Sequence, residues 1–148
     1  EILGIGSLFI ADAATPGLMS PGNMFVPINL LKPILKDLKK YGRRKSNIKP
    51  YIGLSSDERN GKVIVKRVSR DGPSYIAGIK ANDIVISVNE NLVKNLKNFY
   101  EAIWATGDSG VSIKIGIQRN GKQINFNVES IDRMDYFIKN KLIQILFL

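Results

Sequence analysis

The chain has 148 residues, of which 44% are hydrophobic and 24% are charged, a composition typical of a folded globular domain. It contains neither cysteine nor histidine, which excludes disulfides, thiol nucleophiles and a complete Ser-His-Asp triad and removes the commonest zinc ligand. The net charge of +9, from 22 basic against 13 acidic residues, raises the question of a nucleic-acid partner. We expect no catalytic residue, metal site or cofactor within this sequence.

The first 49 residues contain two strand-like segments, a loop, an amphipathic helix and a basic connector. Residues 1–10 alternate apolar residues with glycine and serine, which favours a strand, and two Pro-Gly pairs in residues 11–23 predict a loop. After the short strand-like run MFVPI, apolar residues recur at helical spacing up to Gly42. We predict a helix there with Asn29 as its N-cap and Pro33 in its first turn, where a missing N–H matters least.

Strands and short helices alternate through the rest of the chain. The patterns predict strands at 61–68, at 82–90 and in a hairpin at 111–129 around the Asn120-Gly121 turn, and helices at 72–78 and 95–106. Strands outnumber helices, so two short helices must cap an open or barrel-like sheet. The tail from Met134 is apolar and basic at helical spacing, and it is too short to span a bilayer.

Most of the excess positive charge lies in residues 32–49, where eight Lys and Arg residues accompany a single acid, Asp37. A basic nucleic-acid-binding domain is one interpretation of this run, with Tyr41 and Tyr51 as stacking candidates. The lysines, however, occupy the polar face of the amphipathic helix and its connector, where a solvated surface is the usual explanation. We therefore expect no nucleic-acid partner, and we leave contact with an anionic membrane surface or an acidic partner open.

Residues 50–129 resemble a PDZ domain of the bacterial type found in the HtrA/Deg serine proteases. The resemblance rests on the loop YIGL, the segment VSRDGPSYIAGIKANDIVISVNE, the helix NLKNFYEAI and the hairpin around RNGK, in this order and spacing. It implies an α+β, mainly β fold, namely a PDZ-like, partly open β-barrel capped by two helices. Two turns depart from the family's pattern, because Asn82-Asp83 replaces the common Gly-Asp and Asn89-Glu90 replaces the common Asn-Gly.

The YIGL loop is the candidate binding site. An extended peptide that ends in a carboxylate needs hydrogen-bond donors at its end, and consecutive backbone N–H groups in a tight turn supply them. By resemblance, the N–H groups of Ile52, Gly53 and Leu54 bind the carboxylate, and the strand from Ser55 pairs with the peptide. The other expected groove residues, from the loop and from the 95–106 helix, are Tyr51, Leu96, Phe99, Tyr100 and Ile103. Phe99 and Ile103 are interpreted equally well as core residues.

The segment VPINLLKPIL (26–35) resembles the end of the trypsin-like protease domain of the same enzymes, where Pro-Ile-Asn leads into a helix before the PDZ domain. The resemblance implies four parts: a remnant of the second trypsin-like β-barrel (1–28), a linker helix and basic connector (29–49), the PDZ domain (50–131) and a helical tail (132–148). A remnant of two or three strands cannot bury its apolar face by itself. We therefore expect residues 1–28 to pack against the PDZ domain, to pair with another molecule or to be poorly ordered.

The predicted function is a PDZ peptide-binding module of an HtrA/Deg-like serine endopeptidase of protein quality control, which binds C-termini or exposed apolar segments of substrate proteins by β-strand addition. The family's nucleophile lies in a Gly-Asn-Ser-Gly-Gly sequence that is absent here, so the chain alone should be inactive. The resemblance also implies a homotrimeric parent assembled through its protease domain and a periplasmic or cell-envelope location, although the sequence shows no targeting signal. A standalone PDZ adaptor without protease activity is the alternative.

Overall fold

A computed structural model describes residues 3–10 and 22–146, which belong to two compact units, Glu1–Lys45 and Ser46–Leu148. The first unit contains an antiparallel hairpin of β1 (Gly4–Ile10) and β2 (Gly22–Pro27), followed by α1 (Ile28–Leu31), a 3-10 turn (Lys32–Ile34) and α2 (Leu35–Tyr41). Residues 11–21 of the predicted loop lie outside the described residues.

The helix that the sequence predicts in this unit is interrupted at Pro33. It begins at Ile28, so Asn29 lies inside its first turn and the prediction of Asn29 as the N-cap was wrong. Pro33 has no N–H to donate, and its ring clashes with the carbonyl group four residues earlier, so residues 32–34 form a 3-10 turn before α2 begins. Gly42 ends α2 with φ of +67°, the left-handed conformation common after helices.

The second unit is an antiparallel sheet with short helices against it. Its strands are β3 (Leu54–Arg59), β4 (Lys62–Val68), β5 (Ile84–Val88), β6 (Asn91–Leu92), β7 (Ser112–Arg119) and β8 (Lys122–Glu129), and its helices are α3 (Pro73–Ala77), α4 (Leu96–Trp104) and α5 (Arg133–Leu146). The strand order is β3-β4-β5-β7-β8, with β6 paired to β5. The sheet does not close, so β3 forms one edge of it. This architecture confirms the expected mainly β, partly open PDZ-like fold.

The core of the second unit forms where the inner faces of the strands meet α4. Alternate residues of β7 point inward, as the two-residue period of a strand requires, and the fully buried ones are Ile113, Ile115 and Ile117. Phe99 and Ile103 lie one turn apart on α4 and are 0% and 1% exposed. These contacts hold α4 against the sheet, with one end of the helix beside the edge strand β3.

The two turns that depart from the family's pattern both adopt positive φ. Asn82 has φ of +72°, and Asn89 and Glu90 have +46° and +70°. Asparagine tolerates this region, whereas glutamate is strained in it. The carboxylate of Glu90 accepts a hydrogen bond from Lys114 Nζ at 2.9 Å, and this bond, with the nearby positive charge, lowers the pKa of Glu90. The positive φ values of both turns are thus those that glycine, the residue common in the family at these turns, adopts freely.

The helix α5 begins beside the loop that precedes β3. The hydroxyl group of Tyr136 donates to the carbonyl oxygen of Arg70 at 2.9 Å, and the ring centroid of Tyr136 lies 5.4 Å from that of Tyr51. The first turns of α5 thus pack against the candidate site.

Of the helices within residues 3–10 and 22–146, none combines the length and hydrophobicity that a membrane crossing requires.

Candidate functional site

The loop that leads into β3 is tied to the domain through its carbonyl groups. Three consecutive carbonyl oxygens accept hydrogen bonds from backbone N–H groups: Tyr51 from Ile131 at 3.0 Å, Ile52 from Ser74 at 2.9 Å and Gly53 from Ser69 at 2.7 Å. In a planar trans peptide the C=O group and the following N–H group point in opposite directions. The N–H groups of Ile52, Gly53 and Leu54 therefore point away from these three anchors.

These N–H groups are available to a ligand. Those of Ile52 and Gly53 donate to no acceptor in the part of the chain that the structure describes. Leu54 lies opposite Val68 in the β3-β4 register, next to the hydrogen bond that Gly53 accepts, so its N–H faces the open edge of the sheet. Gly53 has φ of +70°, and a left-handed residue in a tight turn is the backbone geometry of an anion-binding concavity.

Glycine at position 53 is also required by space. A Cβ atom on Gly53 would lie 3.1 Å from Cδ of Pro73 and 3.4 Å from Cα of Gly72. Pro73 is the first residue of α3 and Gly72 is its N-cap, and the N–H of Ser74 in the same helix donates to the carbonyl group of Ile52. Any side chain at position 53 would press against α3 and displace the loop.

The loop opens into a cleft of about 620 Å³ that is lined by β3 on one side and α4 on the other. Ile52 and Ile103 are buried within its apolar floor, and Trp104 at the end of α4 is 46% exposed. Across the cleft, the hydroxyl oxygen of Tyr100 accepts a long hydrogen bond of 3.4 Å from the N–H of Ser56. The cleft therefore combines an apolar pocket with the exposed polar edge of a strand.

Three cations line the cleft, Lys49, Arg67 and Arg133. The guanidinium group of Arg133 lies 5.8 Å from the ring centroid of Tyr51 and 5.3 Å from that of Phe137. Among the described residues, no carboxylate belongs to the lining, and none forms an ion pair with any of the three cations. The cleft thus carries a local positive charge that a bound anion can neutralise.

The structure brings most of the predicted site residues to one place. The cleft is lined by seven of the nine, namely Tyr51, Ile52, Gly53, Leu54, Ser55, Tyr100 and Ile103. Phe99 lies in the core instead, because it is on the inner face of α4 and is fully buried. Leu96, at the start of α4, lies outside the lining and its N–H donates to Glu58 Oε2 at 2.9 Å.

The cationic residues of the cleft were not predicted as site residues. Lys49 lies at the end of the basic run, and Arg67 lies on the strand predicted at 61–68. Arg133 belongs to the predicted helical tail (132–148), whose place in the fold is not indicated by the sequence. No periodicity relates these three positions, so only the folded chain brings them together.

Within the described ranges, no group of three or more acidic residues is arranged to hold a metal ion.

Comparisons with known proteins agree with this fold. The PDZ domain family model matches residues 50–129. The "Probable periplasmic serine endoprotease DegP-like" of Rickettsia prowazekii is 31% identical over 116 aligned positions, and the match covers 70% of this chain and 22% of that protein.

Two solved structures have the same fold. The serine endoprotease from Yersinia pestis is 27% identical with a TM-score of 0.57, covering 89% of this chain and 43% of that one. An HtrA-type protease, AlgW, solved with a decapeptide, has a TM-score of 0.58 at 18% identity and covers 89% of this chain and 42% of that one.

The chain spans less than half of the length of each of these relatives. The family match, in contrast, covers more than half of the chain itself, and the relatives confirm the resemblance to HtrA/Deg serine proteases. This chain belongs to the PDZ domain family, and it resembles HtrA/Deg-type serine endoproteases over most of its length.

Proposed function

We propose that the second unit binds the C-terminal end of a polypeptide chain, which adds as a strand to the open edge of β3. The observation that carries this proposal is the position of the three N–H groups of Ile52, Gly53 and Leu54. They stand at the start of an edge strand, inside a cleft that has three cations and, among the described residues, no carboxylate in its lining. A terminal carboxylate fits the donors, and an apolar last side chain fits the floor.

Two of the cations support the capture of a carboxylate. Arg133 and Lys49 line the same cleft as the N–H donors, so their positive charges attract a carboxylate to it. The hydrogen bonds that an ionised carboxylate accepts from backbone N–H groups are stronger than those of a neutral acceptor. Arg133 is held by its contacts with the rings of Tyr51 and Phe137 rather than by a described carboxylate. Its charge is therefore available to the ligand.

Strand addition also requires backbone donors further along β3. The N–H of Ser56 lies two residues beyond that of Leu54 and so faces the same edge of the sheet. Its present acceptor is the hydroxyl oxygen of Tyr100 at 3.4 Å, a distance at which a hydrogen bond is weak. A peptide carbonyl group can replace this hydroxyl, so Tyr100 and Ile103 would form the wall of the groove opposite β3.

The activity of a larger protein is a further part of the proposal. We infer that the cleft serves an HtrA/Deg-like serine endopeptidase of protein quality control, which is periplasmic and homotrimeric through its protease domain. Residues 1–28 would then be the remnant of that domain. The ligands would be C-termini or exposed apolar segments of substrate proteins, and the chain itself supplies binding but no histidine for catalysis.

Fluorescence anisotropy with the whole 148-residue chain tests the binding proposal. The probe is a pool of labelled heptapeptides that end in Val, Leu, Ile or Phe, prepared as free acids and as C-terminal amides. We expect the free acids to bind about tenfold more tightly, because hydrogen bonds to a charged group contribute roughly 1.5–3 kcal/mol. Equal affinities of the two forms would refute carboxylate capture.

The matched variants are Arg133→Gln and Arg70→Gln. Arg133→Gln should weaken binding of the free acids and leave the amides unchanged, because it removes a cation from the cleft. Arg70 lies outside the cleft lining and pairs with Asp71 at 3.8 Å, so Arg70→Gln should not change either affinity. Equal effects of the two substitutions would contradict a direct role for Arg133.

A further inference from the structure

The cationic cluster of the cleft carries more positive charge than one carboxylate neutralises. Lys49, Arg67 and Arg133 contribute three charges, and no described carboxylate pairs with any of them. Elsewhere in the same unit, Arg59 and Arg119 each pair with an aspartate. A ligand with a single negative charge would leave two cations of the cleft uncompensated.

Arg67 differs from the other two cations in its position. It lies on β4 directly opposite Ser55 of the edge strand, and both side chains are exposed, whereas Leu54 and Ser56 are half-buried. Because side chains alternate between the two faces of a sheet, Ser55 and Arg67 share the outer face. Serine is small, and both Ser55 and Arg67 belong to the lining of the cleft.

A peptide on the edge of β3 brings a defined side chain to Arg67. With the terminal carboxylate at the N–H groups of residues 52–54, the last residue lies beside Leu54 and the penultimate residue beside Ser55. The added strand lies roughly 4.8 Å from β3, and its penultimate side chain points to the outer face, towards Arg67. The acidic residues of β3, Asp57 and Glu58, lie outside the cleft lining and interact with Arg59 and with the N–H of Leu96.

We propose that this cleft selects polypeptides that carry an acidic residue immediately before the C-terminal residue, and that Arg67 contacts that acidic side chain. This inference rests on the proposed binding of C-termini and names the class of ligand for that site. The interaction is solvent-exposed, so its contribution is modest and is reduced by salt.

The test uses the whole chain and two pools of labelled free-acid heptapeptides, which differ only in Glu or Gln at the penultimate position and end in Val, Leu, Ile or Phe. We expect the Glu pool to bind about two- to fivefold more tightly at low ionic strength, and the difference to shrink as salt is added. Arg67→Gln should abolish the difference. Lys66→Gln should preserve it, because Lys66 is the exposed neighbour on the same strand and lies outside the cleft lining.

The outcomes separate this inference from the proposed function. Equal binding of the Glu and Gln pools, with free acids still tighter than amides, would overturn the inference and leave carboxylate capture intact. A preference for Glu that survives Arg67→Gln would overturn the role of Arg67. Equal binding of free acids and amides would overturn both proposals.

Discussion

Gly53 meets two separate requirements that other residue types fail. Its φ of +70° lies in the left-handed region, which costs a residue with a Cβ atom about 1–2 kcal/mol. Its Cα also faces the start of α3, where a Cβ atom would lie 3.1 Å from Pro73. Gly61, in the turn between β3 and β4, shares only the first requirement, because its φ is +68° and a Cβ atom there would meet nothing within 4 Å.

Comparison of Gly53 with Gly61 separates the energetic cost of the close contact with α3 from the cost of a positive φ. We expect Gly61→Ala to lower the free energy of unfolding by about 1 kcal/mol, and Gly53→Ala to lower it by roughly 2–3 kcal/mol, because the second substitution adds steric overlap to backbone strain. Urea denaturation followed by circular dichroism measures both values. Only Gly53→Ala should also weaken binding of free-acid peptides. Equal destabilisation by the two substitutions would show that the contact with α3 is unimportant.

At the scale of elements, a buried ion pair joins the loop after α3 to the end of β7. Asp83 is 1% exposed, and its two carboxylate oxygens accept hydrogen bonds of 2.7 Å from Nε and Nη2 of Arg119. Asp83 also accepts from the N–H of Lys80, and Arg119 also donates to the carbonyl oxygen of Gly78. The hydrogen bond to Asp83 is the main cause that raises the pKa of Arg119.

Removal of the Asp83 carboxylate leaves the positive charge of Arg119 without its counter-charge. We expect Asp83→Asn to lower the free energy of unfolding by about 3 kcal/mol, because Arg119 then loses its counter-charge in a site where its side chain is only 25% exposed. The control is Glu101→Gln, which breaks the exposed pair of Lys97 and Glu101 at 3.8 Å and should change stability by less than about 0.5 kcal/mol. Thermal and urea unfolding measure both. A small effect of Asp83→Asn would mean that water replaces the lost contact.

The elements with strong local patterns were predictable from the sequence. The prediction of a helix at 95–106 matches α4 because its apolar residues face one side, and the Asn120-Gly121 turn, with φ of +51° and +78°, placed the β7-β8 hairpin. The break at Pro33 was not predicted, because the pattern of apolar residues continues through it. The contact of α5 with Tyr51 was not predictable either, since nothing in the tail indicates which surface it covers.

For the candidate site, the loop was predictable because an apolar-Gly-apolar segment has a local chemical meaning. The charges around it were not, because Lys49, Arg67 and Arg133 come from a connector, a strand and a terminal helix. For Phe99, the position on the helix was predictable from the sequence but its burial in the core was not. Helical spacing places it on the apolar face of α4, but only the packed structure separates residues of that face that line the cleft from residues that are buried in the core.

At the scale of the whole molecule, the two units differ in how well they bury apolar residues. The second unit has a continuous core that includes Phe99. In the first unit, none of the described residues of α1 or α2 is buried, and Leu3 and Phe25 of the hairpin region are 78% and 60% exposed. An isolated two-stranded hairpin is marginally stable in water at best. The exposed apolar residues of the first unit therefore favour association with another surface.

This difference predicts that residues 46–148 alone and the whole chain differ in self-association. Residues 46–148 alone should fold cooperatively and stay monomeric as concentration rises, because their core is complete without the first unit. The whole chain should self-associate as concentration rises, because burial of exposed apolar residues of the hairpin region, such as Leu3 and Phe25, is favourable. Sedimentation velocity over a wide concentration range measures both, and Phe25→Ser should weaken the association. A whole chain that stays monomeric while the amides of β1 and β2 exchange slowly would contradict this prediction, since the hairpin would then be stable without a second molecule.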